Sequence, residues 1–366
     1  MRVAIVGAGA VGCYLAARLL DRSHEVILVG RPDQVDAIAR DGLEVRDHRG
    51  ETRRYRAPAV LAVPALTERP DLVLLTVKTQ DVAQACQDIR PYTDGTPVVA
   101  MQNGVRSDHI AGDILGQDTV VGAVVMCAVT YLQPGRVSVD FPGWLILGEP
   151  FGPPRPRTWA VVGLLNSCVP TFYTHRLAAV RWSKLISNLN NALSAVTGLT
   201  LPEIVGTLAG YALPVWVMRE GYRIVHAAGM PLDHGLYGLT PRAVRRDPNA
   251  ALVAVLQATM TTLLARLPER AAVAVLSAAA TSRLNRLPIR GSTWQSIARG
   301  RPSEVDYLNG EIVRLGERLG MATPFNRRLV DMTHQVERTG QFLPIEALLS
   351  PLSERAAGAS TIGGAR

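Results

Sequence analysis

Cysteine is scarce in this sequence, and what there is stands apart. Cys13, Cys86, Cys127 and Cys168 are the whole complement, and none falls in a CxxC pair or a Cys/His cluster. Neither a disulfide framework nor a zinc site is expected, and no other metal site is read from the pattern. A reducing, cytoplasmic setting is the corresponding expectation. Long apolar runs are missing too. The first, Val3-Ala4-Ile5-Val6, is too short for the core of a signal peptide. The longest later stretch, Val120 to Leu132, falls short of the roughly 20 residues that a membrane helix needs. Export and membrane insertion are therefore not expected. Aromatic residues make up only 5% of the chain, and they do not interleave with the densest arginine groups, Arg53, Arg54, Arg56 and Arg242, Arg245, Arg246. A net charge of +8 is thus no sign of a nucleic-acid surface.

What is present is apolar material enough for two cores. With 366 residues and 48% hydrophobic content, the chain exceeds one typical domain, and two are expected. The first half alternates short apolar runs with helix-like segments. Val3 to Val6, Glu25 to Val29, Leu72 to Val77, Pro97 to Met101 and Thr119 to Val125 read as strands of a parallel sheet covered by helices. Val137 to Gly148 then reads as antiparallel strands closing that sheet. A proline-rich stretch, Pro150 to Pro156, precedes one more helix and a strand reaching Tyr173. From Val180 onward long periodic segments rich in Ala, Leu, Val and Arg predict a mostly helical second domain. The domains are expected to span residues 1–175 and 176–366, and the segment after Pro351 has the composition of a frayed end.

The sharpest local signal is Gly7-Ala8-Gly9-Ala10-Val11-Gly12. It follows a buried-strand pattern and opens an apolar helix, which is the context a dinucleotide-binding loop requires. Gly7 suits the tight turn, Gly9 the close approach of a pyrophosphate, and Gly12 the packing of helix on strand, while the helix N-terminus offers amide donors. The second strand ends Val29-Gly30-Arg31, where an NAD site would usually carry an acidic residue for the ribose 2'-hydroxyl. A guanidinium there can instead bind a 2'-phosphate, so NADPH is the expected cofactor and Arg31 its selector; an exposed helix-start residue before Pro32 is the plainer account of the same arginine. The surplus positive charge then suits a phosphorylated cofactor and a carboxylate substrate.

Four further segments, in order, carry a resemblance. They are Leu75-Thr76-Val77-Lys78, Met101-Gln102-Asn103-Gly104-Val105, Arg181-Trp182-Ser183-Lys184-Leu185-Ile186-Ser187-Asn188, and Gly291-Ser292-Thr293-Trp294-Gln295 leading to Ser303-Glu304-Val305-Asp306-Tyr307-Leu308-Asn309-Gly310. Together with the glycine loop they make the chain resemble the ketopantoate reductase family from Met1 to about Pro324. The resemblance implies an α/β N-terminal Rossmann domain plus a mostly α-helical C-terminal domain like that of 6-phosphogluconate dehydrogenase, with substrate held between them. It makes Lys184 the general acid and gives Glu304, twelve residues beyond Ser292 as the family pattern expects, the task of fixing the substrate's orientation. It further implies that Lys78 lies on the cofactor side, that Asn103 positions nicotinamide and substrate, and that Asn188 and Ser292 bind substrate. Each residue has a plainer rival: a surface lysine, a turn or cap serine, an acidic partner of a helix N-terminus.

The chemistry favours such a set independently. Hydride addition to a ketone leaves negative charge on oxygen, which a positioned ammonium stabilises and protonates, and a partly desolvated cleft lowers the lysine's pKa toward working pH. Two departures from the family pattern bear on substrate. Ala192 stands eight residues after the lysine, where the family places an asparagine. On a continuous helix of about 100° per residue, Asn191 would lie about 20° from Lys184 and replace it, whereas Asn190 would project about 120° away as a surface or contact residue. The stretch from Leu232 to Pro288 looks partly inserted, and Tyr237, Met260 and Trp216 are candidates either for a larger apolar pocket or for simple core. The expected function is NADPH-dependent reduction of a small 2-oxo acid, ketopantoate to pantoate first among them, by a chain that forms a homodimer. A related reductase with another keto substrate and a non-catalytic NADP(H)-binding sensor are the alternatives, as is dehydrogenation in the opposite direction, against which the NADPH preference speaks.

Overall fold

The structure is a computed structural model, and it describes residues 1–61, 69–208, 210–233, 267–281 and 291–349. Among these, two compact units separate between Arg181 and Trp182. Tyr237 and Met260 lie outside the described residues, as do Arg242, Arg245 and Arg246.

The first unit is built on an eight-stranded sheet. Its strands are β1 (Arg2–Val6), β2 (Glu25–Val29), β5 (Ala59–Val60), β6 (Leu72–Leu75), β7 (Val98–Ala100), β8 (Val120–Val125), β11 (Leu145–Gly148) and β12 (Thr171–Tyr173), in the order β12-β11-β8-β7-β6-β1-β2-β5. From β5 to β8 every neighbouring pair is parallel; β11 runs antiparallel to β8, and β12 parallel to β11. Strands such as β6 and β8 are buried at every position. That is the requirement of a sheet covered on both faces, and it explains why they read as unbroken apolar runs. One core face gathers Val3, Ile5, Leu28, Leu74 and Val99 beneath the helices α1 (Ala10–Leu20) and α5 (Pro156–Cys168). The other gathers Ala4, Val6, Val73, Leu75 and Val98 with the helices α3 (Val82–Ile89) and α4 (Ser107–Leu115).

The closing strands differ from expectation. Leu145–Gly148 does close the main sheet, but Val137 to Phe141 belongs to a second sheet of four strands, ordered β4-β3-β10-β9. These are β3 (Leu43–Arg46), β4 (Thr52–Tyr55), β9 (Ala128–Gln133) and β10 (Arg136–Phe141). Val137 and Val139 are buried on the face covered by α1, while Ser138, also buried, points to the other face with Asp140, to which it donates at 3.3 Å.

Beside the sheet lies a buried ion pair. Arg181, 4% exposed, sits on the helix α6 (Leu177–Asn188). It donates to the carbonyls of Gln102 (2.9 Å), Gly104 (3.3 Å) and Ala100 (3.1 Å), and meets both carboxylate oxygens of Asp108 at 2.7 and 2.6 Å. Burial pushes the Asp108 carboxyl up, and the guanidinium opposes it. Gly122 on β8 leaves the room, since a Cβ there would lie 3.1 Å from each Asp108 oxygen.

The second unit is helical. It comprises the end of α6, the helix α7 (Asn191–Thr197), and helices Leu201–Val205, Leu213–Ala227, Glu269–Thr281, Ser292–Ile297, Asn309–Arg318 and Pro324–Thr339. Helices Ser292–Ile297 and Pro324–Thr339 both pack on α7. No helix among the described residues is long and apolar enough to cross a membrane.

Replacing Arg181 by Met should leave Asp108 buried without its counter-charge and cost about 3–5 kcal/mol. The double variant Arg181→Met/Asp108→Asn should lose clearly less than the single one. Urea unfolding checks this, and a single-variant loss under about 1 kcal/mol would mean that the pair is not what holds the loop after β7.

Candidate active site

In an open parallel sheet, ligands bind beyond the carboxyl ends of the strands where the order reverses, here between β1 and β6. Gly7 to Gly12 stands at that end of β1. Gly7 has φ +119°, and a Cβ on it would lie 2.7 Å from the Val77 nitrogen. A Cβ on Gly12 would run into the Gly7 carbonyl and approach Thr76 Oγ1 to 2.8 Å. Both glycines are explained by the protein itself, because Thr76 donates its hydroxyl to Gly7 O at 2.8 Å and closes the two strand ends together. Gly9 is different. Its φ of −80° suits any residue, and a Cβ there would meet no protein atom within 4 Å. Nothing among the described residues requires glycine at this position, so its bare backbone fits a ligand that approaches closely. Ala8 is buried, Ala10 and Val11 are half-buried, and α1 begins with no side-chain cap and no acidic residue in its first turn. That open helix start fits the pyrophosphate of a dinucleotide.

Arg31 is exposed and directly precedes α2 (Pro32–Asp41). Its backbone N–H donates to Gln34 Oε1 at 3.1 Å, and Gln34 Nε2 donates to Ala8 O at 3.0 Å and to Tyr131 Oη at 3.2 Å. Gln34 is 5% exposed, so one buried side chain fixes the start of α2 to the glycine loop. Sequence reasoning missed it. Its signal was the polar residue three positions after the helix-start arginine, where a side chain reaches back to a free backbone amide.

Lys78, half-buried, caps a 3-10 turn over Thr79–Asp81 beyond β6. Thr79 Oγ1 donates to the Asn103 carbonyl at 3.3 Å. Gln102, beside Asn103, is 5% exposed and donates to Leu75 O at 2.8 Å and Val77 O at 3.1 Å. The ends of β6 and β7 are thereby knotted together, and Arg181 holds the same loop through its carbonyls. The first unit thus brings the glycine loop, Lys78 and Asn103 to one end of one sheet.

In the second unit, Lys184 and Asn188 are half-buried on α6, one helical turn apart and hence on one face. Next to Lys184, Ser183 Oγ accepts the Asp233 N–H at 2.9 Å, so the start of the region from Leu232 onward is tied to α6. The continuous helix assumed for Lys184 to Ala192 does not exist. α6 ends at Asn188 and α7 starts at Asn191, with Leu189 and Asn190 in a turn. Asn309 Nδ2 donates to the Leu189 carbonyl at 3.1 Å, satisfying a group that the broken helix leaves over. Asn309 also bonds Asn326 Oδ1 at 2.9 Å, and Asn326 Nδ2 donates to Glu220 Oε1 at 2.8 Å. Glu220 in turn accepts the amides of Phe325 and Asn326 at the start of helix Pro324–Thr339.

The angles reckoned around one helix axis therefore do not apply across the turn. Asn190, expected as a surface or contact residue, is buried at 9% exposure and so is not a surface one, and Ala192 is wholly buried. Asn191 lies against Gly291, where a Cβ would come within 2.6 Å of its Oδ1. Gly291 directly precedes Ser292, the first residue of helix Ser292–Ile297, so Asn191 and Ser292 are neighbours across the packing of that helix on α7. Glu304 is buried at 3% exposure just before a 3-10 turn over Val305–Tyr307. Trp216, a candidate for the pocket wall, stacks on Phe325 with ring centroids 5.7 Å apart.

Comparison with known proteins agrees with this division. Residues 3–151 match the family model described as ketopantoate reductase PanE/ApbA, and residues 176–337 match its C-terminal counterpart. A 2-dehydropantoate 2-reductase of Pyrococcus abyssi is 24% identical over 340 residues, covering 89% of this chain and 94% of the relative. The crystal structure of a PanE/ApbA family ketopantoate reductase from Ralstonia eutropha JMP134 is 31% identical, with TM-score 0.72 over 92% of this chain and 99% of that one. A D-mandelate dehydrogenase solved with NADH and anilino(oxo)acetate shares the fold at TM-score 0.74 and 20% identity, over 93% of this chain and 99% of its own. With both halves of the family model matched along most of its length, the chain belongs to the ketopantoate reductase family.

Proposed function

We propose that this protein is an NADP-dependent oxidoreductase that reduces a small 2-oxo acid to the 2-hydroxy acid, with ketopantoate, giving pantoate, as the substrate. The observation that carries the reading is Gly9: a glycine that no atom of the described residues requires, at the switch point of the sheet, in a chain whose α6 also presents Lys184 and Asn188 on one face. The loop Gly7 to Gly12 receives the pyrophosphate, Arg31 the 2'-phosphate, and Lys78 and Asn103 the nicotinamide end. Residues 1–175 serve the cofactor, and residues 176–366 serve the substrate and pairing with a second copy of the chain.

NADPH, when bound, supplies the hydride. The carbonyl π electrons move to oxygen as its carbon accepts that hydride, and Lys184 Nζ donates the proton that neutralises the new alkoxide. Asn188 and Asn191 offer amides to the carboxylate and carbonyl, Ser292 a hydroxyl, and Glu304 accepts from a donor on the substrate and so fixes its orientation. Neutral groups suit the carboxylate because they add no competing negative charge. The burial of Ala192 favours a second reading, a 2-oxo acid other than ketopantoate, since the family asparagine has no equivalent at that position. NADPH oxidation against a panel of 2-oxo acids that includes ketopantoate decides between them. Binding of NADPH without turnover of any member would favour a sensor instead.

Gly9→Ala should leave the melting temperature of the ligand-free protein within about 2 °C yet weaken NADPH binding at least about tenfold, whereas Gly12→Ala should lower stability itself; equal effects of the two would contradict the role given to Gly9. Arg31→Ala should abolish most of the preference for NADPH over NADH, seen as the ratio of their dissociation constants; a protein that binds both equally before mutation would refute the assignment. Lys184→Ala should keep NADPH affinity while lowering kcat by about two or more powers of ten. Near-full activity in that variant would make the lysine structural.

A further inference from the structure

Glu304 is deeply buried just before a single 3-10 turn over Val305–Tyr307. Helix Pro324–Thr339 holds the residues that flank it. Glu337 Oε1 accepts the Ser303 N–H at 2.8 Å. Glu337 Oε2 lies 2.8 Å from His334 Nδ1, and His334 Nε2 lies 3.0 Å from Asp306 Oδ1. One imidazole therefore bridges two carboxylates that grip the chain on either side of Glu304.

We propose that His334 is a positioning residue for Glu304: as an imidazolium it straps Ser303 and Asp306 to the helix and so sets where the Glu304 carboxylate meets the substrate. This rests on the reading of Glu304 as the residue that orients the substrate. When ionised, the two neighbouring carboxylates can only accept, whereas a neutral imidazole has one donor and one lone pair. The neutral ring must turn a lone pair toward one carboxylate, while the charged ring makes two charge-assisted bonds. Asp306 and Glu337 are the charged groups against the ring. Beyond them, Arg314 on helix Asn309–Arg318 donates to the Asp306 carbonyl and to Glu311 Oε2.

Burial lowers the His334 pKa, but the bonds to Glu337 and Asp306 outweigh it and raise it above the usual value of 6.5. Burial pushes Glu337 up, but its bonds with Ser303 and His334 hold it below the ordinary carboxylate range. The sign follows. The strap is complete below the unfolded-state pKa of histidine and is lost as pH rises through the raised folded value.

The test is steady-state kinetics of the full chain from pH 6 to 9 at saturating NADPH, with ketopantoate or whichever 2-oxo acid of the panel turns over fastest. In the unmodified protein KM should rise about three- to tenfold across the His334 titration, the scale of one charge-assisted bond. In His334→Gln it should stay high and flat, with kcat within about twofold and NADPH affinity unchanged. The His334 ring proton, assigned by its loss in that variant, should titrate above 6.5 in NMR spectra. A variant whose KM profile follows the unmodified protein, or a ring titrating at or below 6.5, overturns the proposal. Glu304→Gln separates the two layers. If it raises KM while His334→Gln changes nothing, only the strap is wrong; if it changes nothing itself, the reading of Glu304 falls and the strap with it.

Discussion

A guanidinium can be kept away from water only if nearly all of its donors are taken, and much of this molecule is arranged around that demand. Arg181 finds its acceptors in the last carbonyl of β7, in two carbonyls of the loop that follows and in Asp108 at the start of α4. The loop bearing Asn103 is consequently not free to choose its shape: its carbonyls must converge on one point. Arg181, which shapes this loop, stands one turn before Lys184 on α6. A buried pair of this kind adds little net stability over an apolar substitute, but leaving either partner alone is costly, so it specifies one arrangement rather than merely strengthening it.

The second unit solves a similar problem with neutral groups. A helix that stops in the interior strands its last carbonyls, and the chain Leu189 O, Asn309, Asn326, Glu220 absorbs one of them and the first amides of helix Pro324–Thr339 together. Burial pushes the Glu220 carboxyl up, while the amides of Phe325 and Asn326 work against that rise. The turn between α6 and α7 is thus held by side chains remote in sequence, and the direction of Asn191 depends on them.

This separates what could be read from the amino-acid order from what could not. The parallel strands and the glycine loop were legible because their causes are local: full burial writes an unbroken apolar run, and a tight turn writes glycine. The roles expected for Lys184, Glu304 and their companions came from the family resemblance alone, and Arg181 stood in one of its motifs without a role. The second sheet escaped because Thr52–Tyr55 is three parts exposed arginine and threonine, and a strand with so little buried surface leaves hardly any pattern. The break after Asn188 escaped for another reason. Three asparagines within four residues weaken a helix, but what fixes the end is an amide supplied from Asn309, 120 residues away. His334 and Gln34 each join a partner three positions away to one much farther along the chain, Asp306 for His334 and Ala8 and Tyr131 for Gln34, and only the near partner leaves a trace in the spacing.

Gln34 carries one more implication, for how cofactor choice in this chain can change at all. The usual route toward NADH is an acidic side chain at the end of β2. Here Gly30 cannot accept any side chain without collision, since a Cβ would lie 2.9 Å from that of Ala8 and 3.1 Å from Gln34 Oε1. Position 31 contributes a backbone amide that Gln34 already holds, so its side chain alone is free to vary. Of the two residues at the end of β2, only Arg31 can change its side chain while Gly30 and Gln34 keep their packing against the glycine loop. With the role proposed for Arg31, a lineage drifting between the two cofactors would exchange one exposed residue and leave the fold beneath it untouched.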